Sequence, residues 1–437
     1  MTEPLIATAL LLALAMFRVP IAIAMIVIGT IGFALLRGIN ATLIMVSTTA
    51  FDTVFSYSLS VIPLFIFMGN LLAYSGVASG LFSATQRLVR RLPGGLAMAA
   101  VLSCGGFSAV SGSSLATAAT MSKVAMPSLR KFGYADSLSS GAIAAGGTLG
   151  ILIPPSVILI IYGILTESDI GLLFLAGIIP GMIGLLGYVL AVWVAVKLNP
   201  SLAPQSFDVD DHPVEGLYGV ILSVALFAFI MIGIYGGFFT PIEAAGMGSG
   251  MALVMVVVTG HAKVPEVWHA LMDTAESTAM IFLVIIGAEV FSNYINLAGL
   301  PDELAYFIDS LEVNAWIVMA LIIIIYLLLG TVLESLSMIL LTVPIFYPLM
   351  YQLDFGLEIL SDTEFALIWF GIIVVVVTEI SLITPPIGMN VFVLKATLPD
   401  VSLKTIFKGI LPFWIADILR LLLLIFFPAI SLLLVAG

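Results

Sequence analysis

One cysteine, Cys104, stands among 437 residues. That excludes an intrachain disulfide and any cysteine-based metal cluster. Charge is equally scarce: Asp, Glu, Lys and Arg make up 9% of the chain, against about 25% in a soluble domain. Lys and Arg total 14 against 26 acids, so the basic footprint needed for a nucleic-acid backbone is missing. Polar sequence is short too. Its longest stretch, Asn199–Glu215, is far below the size of a folded soluble domain. What fills the chain instead is apolar: 62% of residues are hydrophobic and the mean hydropathy is +1.25. This rules out a soluble enzyme and a disordered chain. The length accommodates roughly ten membrane crossings at about 20 residues each, so the fold class is an all-α polytopic membrane protein.

The apolar run Pro4–Phe17 follows Glu3, with no Lys or Arg before Arg18. A secretory signal has a positive start and a small-residue cleavage site, so this run reads as a first mature helix. Arg18-Val19-Pro20 interrupts it before apolar sequence continues to Leu36, which predicts a kink at the proline. Further spans are predicted at Val61–Tyr74, Gly171–Val196, Leu217–Phe239, Ile242–Thr259, Ala275–Leu297 and Ile410–Val435. Thr42–Leu59 is diluted by Asp52. Leu81–Leu92, Ala262–Asp273 and Leu398–Lys408 mix apolar and charged residues at helical spacing and read as interfacial helices.

Basic residues set the orientation. Arg87, Arg90 and Arg91 form one cluster, Lys123, Arg130 and Lys131 a second, and Lys395, Lys404 and Lys408 a third. These are predicted cytoplasmic. Asp302, Glu303, Asp309 and Glu312, and then Asp354, Glu358, Asp362 and Glu364, lie in segments without Lys or Arg and face the other side. Between the first two basic clusters, the apolar Pro93–Met121 has a Gly/Ser-rich centre at Gly105–Ser114. It is too short for two full crossings and reads as a re-entrant helical hairpin. Between the acidic segments, Ala315–Met350 breaks at Gly330–Ser337 and reads as a second hairpin, entering from the opposite side. Such tips must be buried in protein or line a wet cavity.

After each hairpin comes a helix interrupted by two prolines, Pro154-Pro155 and then Pro385-Pro386. The prolines repeat at an offset of 231 (385 − 154). Ser111 and Ser113 pair with Ser335 and Ser337 at 224 (335 − 111). Two hairpins, two breaks and opposite charge flanks make an inverted-topology repeat, whose paired broken helices point to a binding site.

The backbone supplies the chemistry. The first half of each hairpin ends in free carbonyls, which suit a small hard cation. The second half starts with free N–H groups, which suit a carboxylate. Ser108, Ser111 and Thr148, with Gly147 and Gly150 allowing close approach, make a candidate sodium site in the first repeat. Gly330, Glu334, Ser335, Thr378, Ser381 and Thr384 make a second. Gly112, Ser113, Ser114, Pro155, Ser156, Ser337 and Asn390 are candidate contacts for a carboxylate substrate between the tips. Glu334 and Glu379 are acids at membrane depth. Each is either a cation or proton site, or the partner of a buried backbone or arginine group. Asp417 and Arg420, at i and i+3, are predicted to pair.

The runs GGFSAVSGSSLATAATM (Gly105–Met121), GTLGILIPPS (Gly147–Ser156) and LITPPIGMN (Leu382–Asn390) resemble the large membrane subunit of the tripartite ATP-independent periplasmic (TRAP) transporters, over nearly the whole chain. The resemblance implies an elevator-type fold in a bacterial inner membrane and sodium-driven uptake of an organic acid, such as a C4-dicarboxylate, sialic acid or sugar acid. It implies two partners, a small four-helix membrane subunit and a periplasmic substrate-binding protein. On that pattern, residues 1–92 are scaffold helices. Residues 93–170 form the first transport repeat (hairpin 93–130, broken helix 137–166). Residues 171–274 return to the scaffold, with a cytoplasmic loop at 199–215 and an interfacial helix at 262–273, and 275–313 is a connecting helix. Residues 314–396 form the second repeat (hairpin 314–350, broken helix 363–396), and 397–437 hold an interfacial helix and the last span.

Other classes fare worse. A serine protease needs a base beside its nucleophile, and His212, His261 and His269 all fall in predicted cytoplasmic segments. A channel needs a pore lined by polar rings, where this chain has occluding hairpins. A stand-alone proton-coupled carrier of organic anions, using Glu334 or Glu379, is the runner-up. No organic cofactor is implied.

Overall fold

A computed structural model describes residues 2–17, 19–204, 215–260, 263–310 and 313–436. It contains no strand among the described residues. In chain order the helices are α1 (Thr2–Met16), α2 (Ile21–Arg37), α3 (Ile39–Val54), α4 (Val61–Tyr74), α5 (Val77–Val89), α6 (Gly95–Ser111), α7 (Ser114–Lys131), α8 (Asp136–Thr148), α9 (Val157–Thr166), α10 (Ile170–Leu198), α11 (Glu215–Tyr235), α12 (Pro241–Val258), α13 (Val264–Leu297), α14 (Leu300–Ser310), α15 (Ala315–Leu329), α16 (Ser335–Met350), α17 (Thr363–Ile383), α18 (Met389–Thr397), α19 (Leu403–Phe426) and α20 (Ala429–Leu432). Side chains that accept a first-turn N–H mark several starts: Ser113, Ser156, Asp169, Asn314, Asp362 and Ser402. Thr240 and Glu243 form a capping box at α12, which satisfies two otherwise free backbone donors.

Both hairpins are present, as α6–α7 and α15–α16. Both broken helices are present too, as α8–α9 and α17–α18, each interrupted at its cis Pro-Pro bond. The two repeats exchange arms. The segment after the first break, α9, packs on α16 of the second hairpin; the segment after the second break, α18, packs on α7 of the first. At the centre runs α17, which is buried along its apolar length, whereas the other long apolar helices are less than half buried and leave a face exposed. Leu138 to Thr148 of α8 are buried as well. These two helices differ in how they achieve it. The first is lined with Val, Ile and aromatic residues, the second with Ala, Gly and Ser. The small side chains let α19 approach closely, with Gly141 against the Gly409 backbone and Gly409 against the Ser137 carbonyl.

Around the repeats, α13 packs on α2, α3 and α4, and α12 on α4 and α11. The helix α5 connects this outer set to the first hairpin through α6 and α11. Gly69 of α4 reaches the first tip, where an added Cβ would lie 2.9 Å from the Ser111 carbonyl oxygen. Arg130 at the end of α7 bonds Asp136 at the start of α8 (2.8 Å) and Asp400 before α19 (2.5 Å), which brings two of the basic clusters to one end. The acidic segments meet at another place: Ala305, Ile308 and Asn314 share a cleft of about 280 Å³ with Gln352 and Asp354.

Several expectations need correction. The stretch 262–273 is not a separate interfacial helix; from Val264 it is the first third of the 34-residue α13. No glycine or proline falls between Glu266 and Ile286, so charge alone does not end the helix. Likewise 398–408 is a turn followed by the first residues of α19, which continues unbroken to Phe426. The amphipathic α14 was not foreseen. Thr42–Leu59 belongs to α3 and a short turn that bends by 53° into α4. Arg18, His212, His261, Ala262, Glu312 and most of the acidic loop 199–215 lie outside the described residues.

Candidate functional site

The first tip is a two-residue turn. Gly112 adopts a left-handed conformation (φ +61°), and its N–H closes on the Ser108 carbonyl. A side chain there would be strained by that φ and would also press on the Pro155 carbonyl, 3.0 Å from the position of a Cβ. Ser113 then caps α7 by accepting from the Ala116 N–H at 3.4 Å. The break of α8–α9 lies directly opposite. A Cβ at Gly150 would sit 3.2 Å from the Ser113 carbonyl oxygen and 3.3 Å from Ser108 Oγ. Ser108 Oγ itself is fully buried and has no hydrogen-bond partner among the described residues. An orphan buried hydroxyl costs free energy. Here it faces the Ser113–Gly150 contact, where a carbonyl oxygen also lies, and both are oxygens of the kind that ligate a small hard cation.

The remaining predicted residues of this repeat are placed differently. Ser111 Oγ shares a hydrogen bond with Thr117 Oγ1 (2.8 Å). Gly147 packs on Ala118. Thr148 turns its hydroxyl toward Tyr188 on α10 (3.2 Å), away from the tip. Ser156 caps α9 and donates to the Ile151 carbonyl. Ser114 is buried at the start of α7.

The second tip has the same plan with a longer turn. Gly330 ends α15, residues 331–333 follow, and Glu334 precedes α16. Gly330 lies so close to Ser381 that any Cβ would overlap the serine hydroxyl. Thr378, Ser381 and Thr384 donate to the carbonyls of Val374, Thr378 and Ile380. This back-bonding commits the protons along the helix and leaves oxygen lone pairs facing outward. Thr384 spends one on Trp414 Nε1 (3.0 Å). Ser337 Oγ donates to Glu334 Oε1 at 3.3 Å, and Ser335 is buried beside it. Asn390, the second residue of α18, is wholly buried and donates to the Ala144 carbonyl of α8 (3.0 Å), while its Oδ1 has no partner among the described residues.

The register of the repeat also changes. The residues heading α7 and α16 are Ser113 and Glu334, an offset of 221 (334 − 113), so Ser111 and Ser335 are not equivalent. The three extra residues of the second tip raise the offset from 218 before it (329 − 111) to 221 after it, and neither is 224.

One cluster was foreseen in part: an arginine partner was one reading of Glu379, but not which arginine. Arg420 pairs with Asp417, as expected (2.9 Å), and also with Glu379 across the helix interface. Tyr188 OH donates to Asp417 (2.5 Å). The signal was an arginine in an apolar span, which demands neutralisation. The geometry that selects Glu379 depends on how α17 packs on α19. A cavity of about 660 Å³ has none of the tip residues in its lining. It separates α3 and α13, bearing Asp52, Glu289 and Asn293, from Ile161 of α9 and Leu340 of α16.

Two inverted repeats, each a hairpin closed on a broken helix around buried oxygen atoms, define the membrane subunit of a transporter. The chain matches the family described as "Tripartite ATP-independent periplasmic transporter, DctM component" over residues 8–430, and belongs to it. It is 33% identical over 388 residues to the C4-dicarboxylate TRAP transporter large permease protein DctM of Pseudomonas aeruginosa, covering 87% of each chain. It is 30% identical to the sialic acid TRAP transporter large permease protein SiaM of Vibrio cholerae, covering 92% of this chain and 94% of that one. The YdaH transporter of Alcanivorax borkumensis shares the fold, with a TM-score of 0.63 at 18% identity over 91% of this chain and 88% of that one.

Proposed function

We propose that this chain is the large membrane subunit of a sodium-coupled importer of an organic acid in a bacterial inner membrane. It works with a small four-helix membrane subunit and a periplasmic substrate-binding protein. The observation that carries the reading is the convergence of orphan Ser108 Oγ, the Ser113 carbonyl and Gly150 at one tip, with Gly330 and Ser381 in the corresponding place at the other. Each is a neutral oxygen-rich cradle, better suited to a monovalent cation than to a divalent one, which takes several carboxylates. A substrate carboxylate then lies between the tips, where the half-helices α7 and α16 begin and present free N–H groups.

In this reading both hairpins and both broken helices travel as one body past the outer helices, an elevator motion, because neither cradle is complete without its own tip. The cavity between α13 and α16 is the vestibule on one side of that path. Membership of a tripartite family, and relatives named for a C4-dicarboxylate and for sialic acid, support the two partners and an organic acid as cargo.

The test is uptake into proteoliposomes holding the large and small subunits, with the binding protein outside. Replacing sodium by choline at constant ionic strength is expected to abolish uptake, and a sodium titration to give a Hill slope above one. Uptake that persists in choline and follows an imposed proton gradient instead would overturn the reading.

A further inference from the structure

A continuous polar path links the two breaks through the interior. It starts at Thr148 of α8, whose one hydroxyl proton is shared between the Ala145 carbonyl (2.8 Å) and the Tyr188 hydroxyl of α10 (3.2 Å), because Tyr188 gives its own to Asp417 of α19 (2.5 Å); it then passes to Arg420 (2.9 Å) and ends at Glu379 of α17. All five side chains are buried, Arg420 at 3% exposure and the others at 0%. Burying three charges against apolar helices is costly, and a well-packed apolar set holds helices together as well or better. What charged and hydroxylic contacts add is direction: they fix distances and angles that apolar packing leaves free. The two ends of the path matter here. Thr148 lies two residues before Gly150 of the first cradle, and Glu379 lies between Thr378 and Ser381 of the second.

We propose that Arg420, acting with Asp417 and Tyr188, is a positioning residue that makes the two cation cradles fill as a unit. The proposal rests on the sodium reading above. The physical route is short. A cation drawn to Ser108, Ser113 and Gly150 tightens the 148–150 turn onto the first tip. Thr148 is tied to Tyr188, so the shift reaches Asp417 and Arg420, and through Glu379 it sets the 378–381 turn that faces Gly330. Coupling of this kind is reciprocal, so either cradle prepares the other. Arg420 touches neither cation nor substrate and acts only through the backbones it holds.

Tyr188→Phe is the sharpest test. It removes one oxygen, keeps every charge, and retains the ring that meets Phe413 edge-on at 5.6 Å. It is expected to raise the half-saturating sodium concentration by about 5-fold or more, within the usual range of coupling factors, and to bring the Hill slope down to one. The substrate KM at saturating sodium stays as in the wild type. Arg420→Lys, which keeps the charge but not the reach of the one nitrogen, Nη2, that meets both acids, is expected to behave alike. A second readout is the rise in thermal unfolding temperature on adding sodium to the purified subunit complex. In Tyr188→Phe this rise is expected to need more sodium. A variant that melts earlier without sodium yet superimposes on the wild-type sodium curve would show a merely structural network and overturn the proposal. Wild-type protein indifferent to sodium in both measurements would overturn the sodium reading and this one with it.

Discussion

At the scale of single residues, the tips show how a missing contact is as informative as a made one. Ser108 Oγ has no partner among the described residues, so Ser108→Ala removes an unsatisfied group and leaves no orphan behind. The expected result is an unfolding temperature without sodium equal to or above the wild type, together with a raised sodium requirement for uptake. A drop in both stability and uptake at every sodium concentration would count against a cation at this turn. The buried charges behave in the opposite way. Arg420→Met leaves Glu379 and Asp417 without their counter-charge, and breaking such a pair costs about 3–5 kcal/mol. That variant is expected to be lost as monodisperse protein on gel filtration in detergent, and the triple change Glu379→Gln, Asp417→Asn, Arg420→Met to restore it. The serines at the tips were legible in the sequence because Gly/Ser turns inside apolar runs are conspicuous. The pair Asp417–Arg420 was legible because it lies within one helical turn. For Glu379 an arginine partner was one of two readings, but Arg420 as that partner was not legible, since 41 residues separate them and only the packing of two helices brings them together.

At the scale of elements, chain breaks were easier to read than continuations. The Pro-Pro dipeptides and Gly-rich turns announced four broken elements, and their limits fall within a few residues of the expected ones. Charged residues misled in the other direction. Glu266 and Asp273 suggested that α13 begins later, but a helix about 50 Å long at 1.5 Å per residue simply extends beyond the roughly 30 Å hydrocarbon layer. The repeat register slipped for another reason: the serines that were matched lie on opposite sides of their tips, Ser111 ending α6 and Ser335 starting α16. Helix contacts give a testable number here. Gly409 faces the Ser137 carbonyl so closely that no Cβ fits without displacement. Gly409→Ala is expected to destabilise the α8–α19 crossing by about 1–3 kcal/mol, the range for overpacking, read as a lowered unfolding temperature. A substitution at Gly250, beside which a Cβ finds open space, serves as the control and is expected to leave it unchanged.

At the scale of the whole molecule, Leu340 offers a test of the proposed elevator motion. It shares the cavity wall with Ile161 of α9 and, across the space, with Ile285 of α13. In a background lacking Cys104, a bifunctional maleimide joining cysteines at 161 and 340 is expected to leave uptake intact, while one joining 285 and 340 stops it. Full activity with the second bridge in place would mean that α13 and α16 do not slide past each other. The paired hairpins and broken helices were readable from the repeat, but the exchange of arms between the repeats was not, because periodicity says nothing about which neighbour a short helix will choose. That exchange has a bearing on how the protein is made. Since α9 ends at Thr166 and its neighbour α16 begins at Ser335, the first repeat leaves the ribosome with one flank bare and waits for about 170 more residues (335 − 166). The last step of its folding therefore waits for the second hairpin to be made. A chain interrupted before Met350 carries an uncovered arm, which marks it as unfinished within the bilayer.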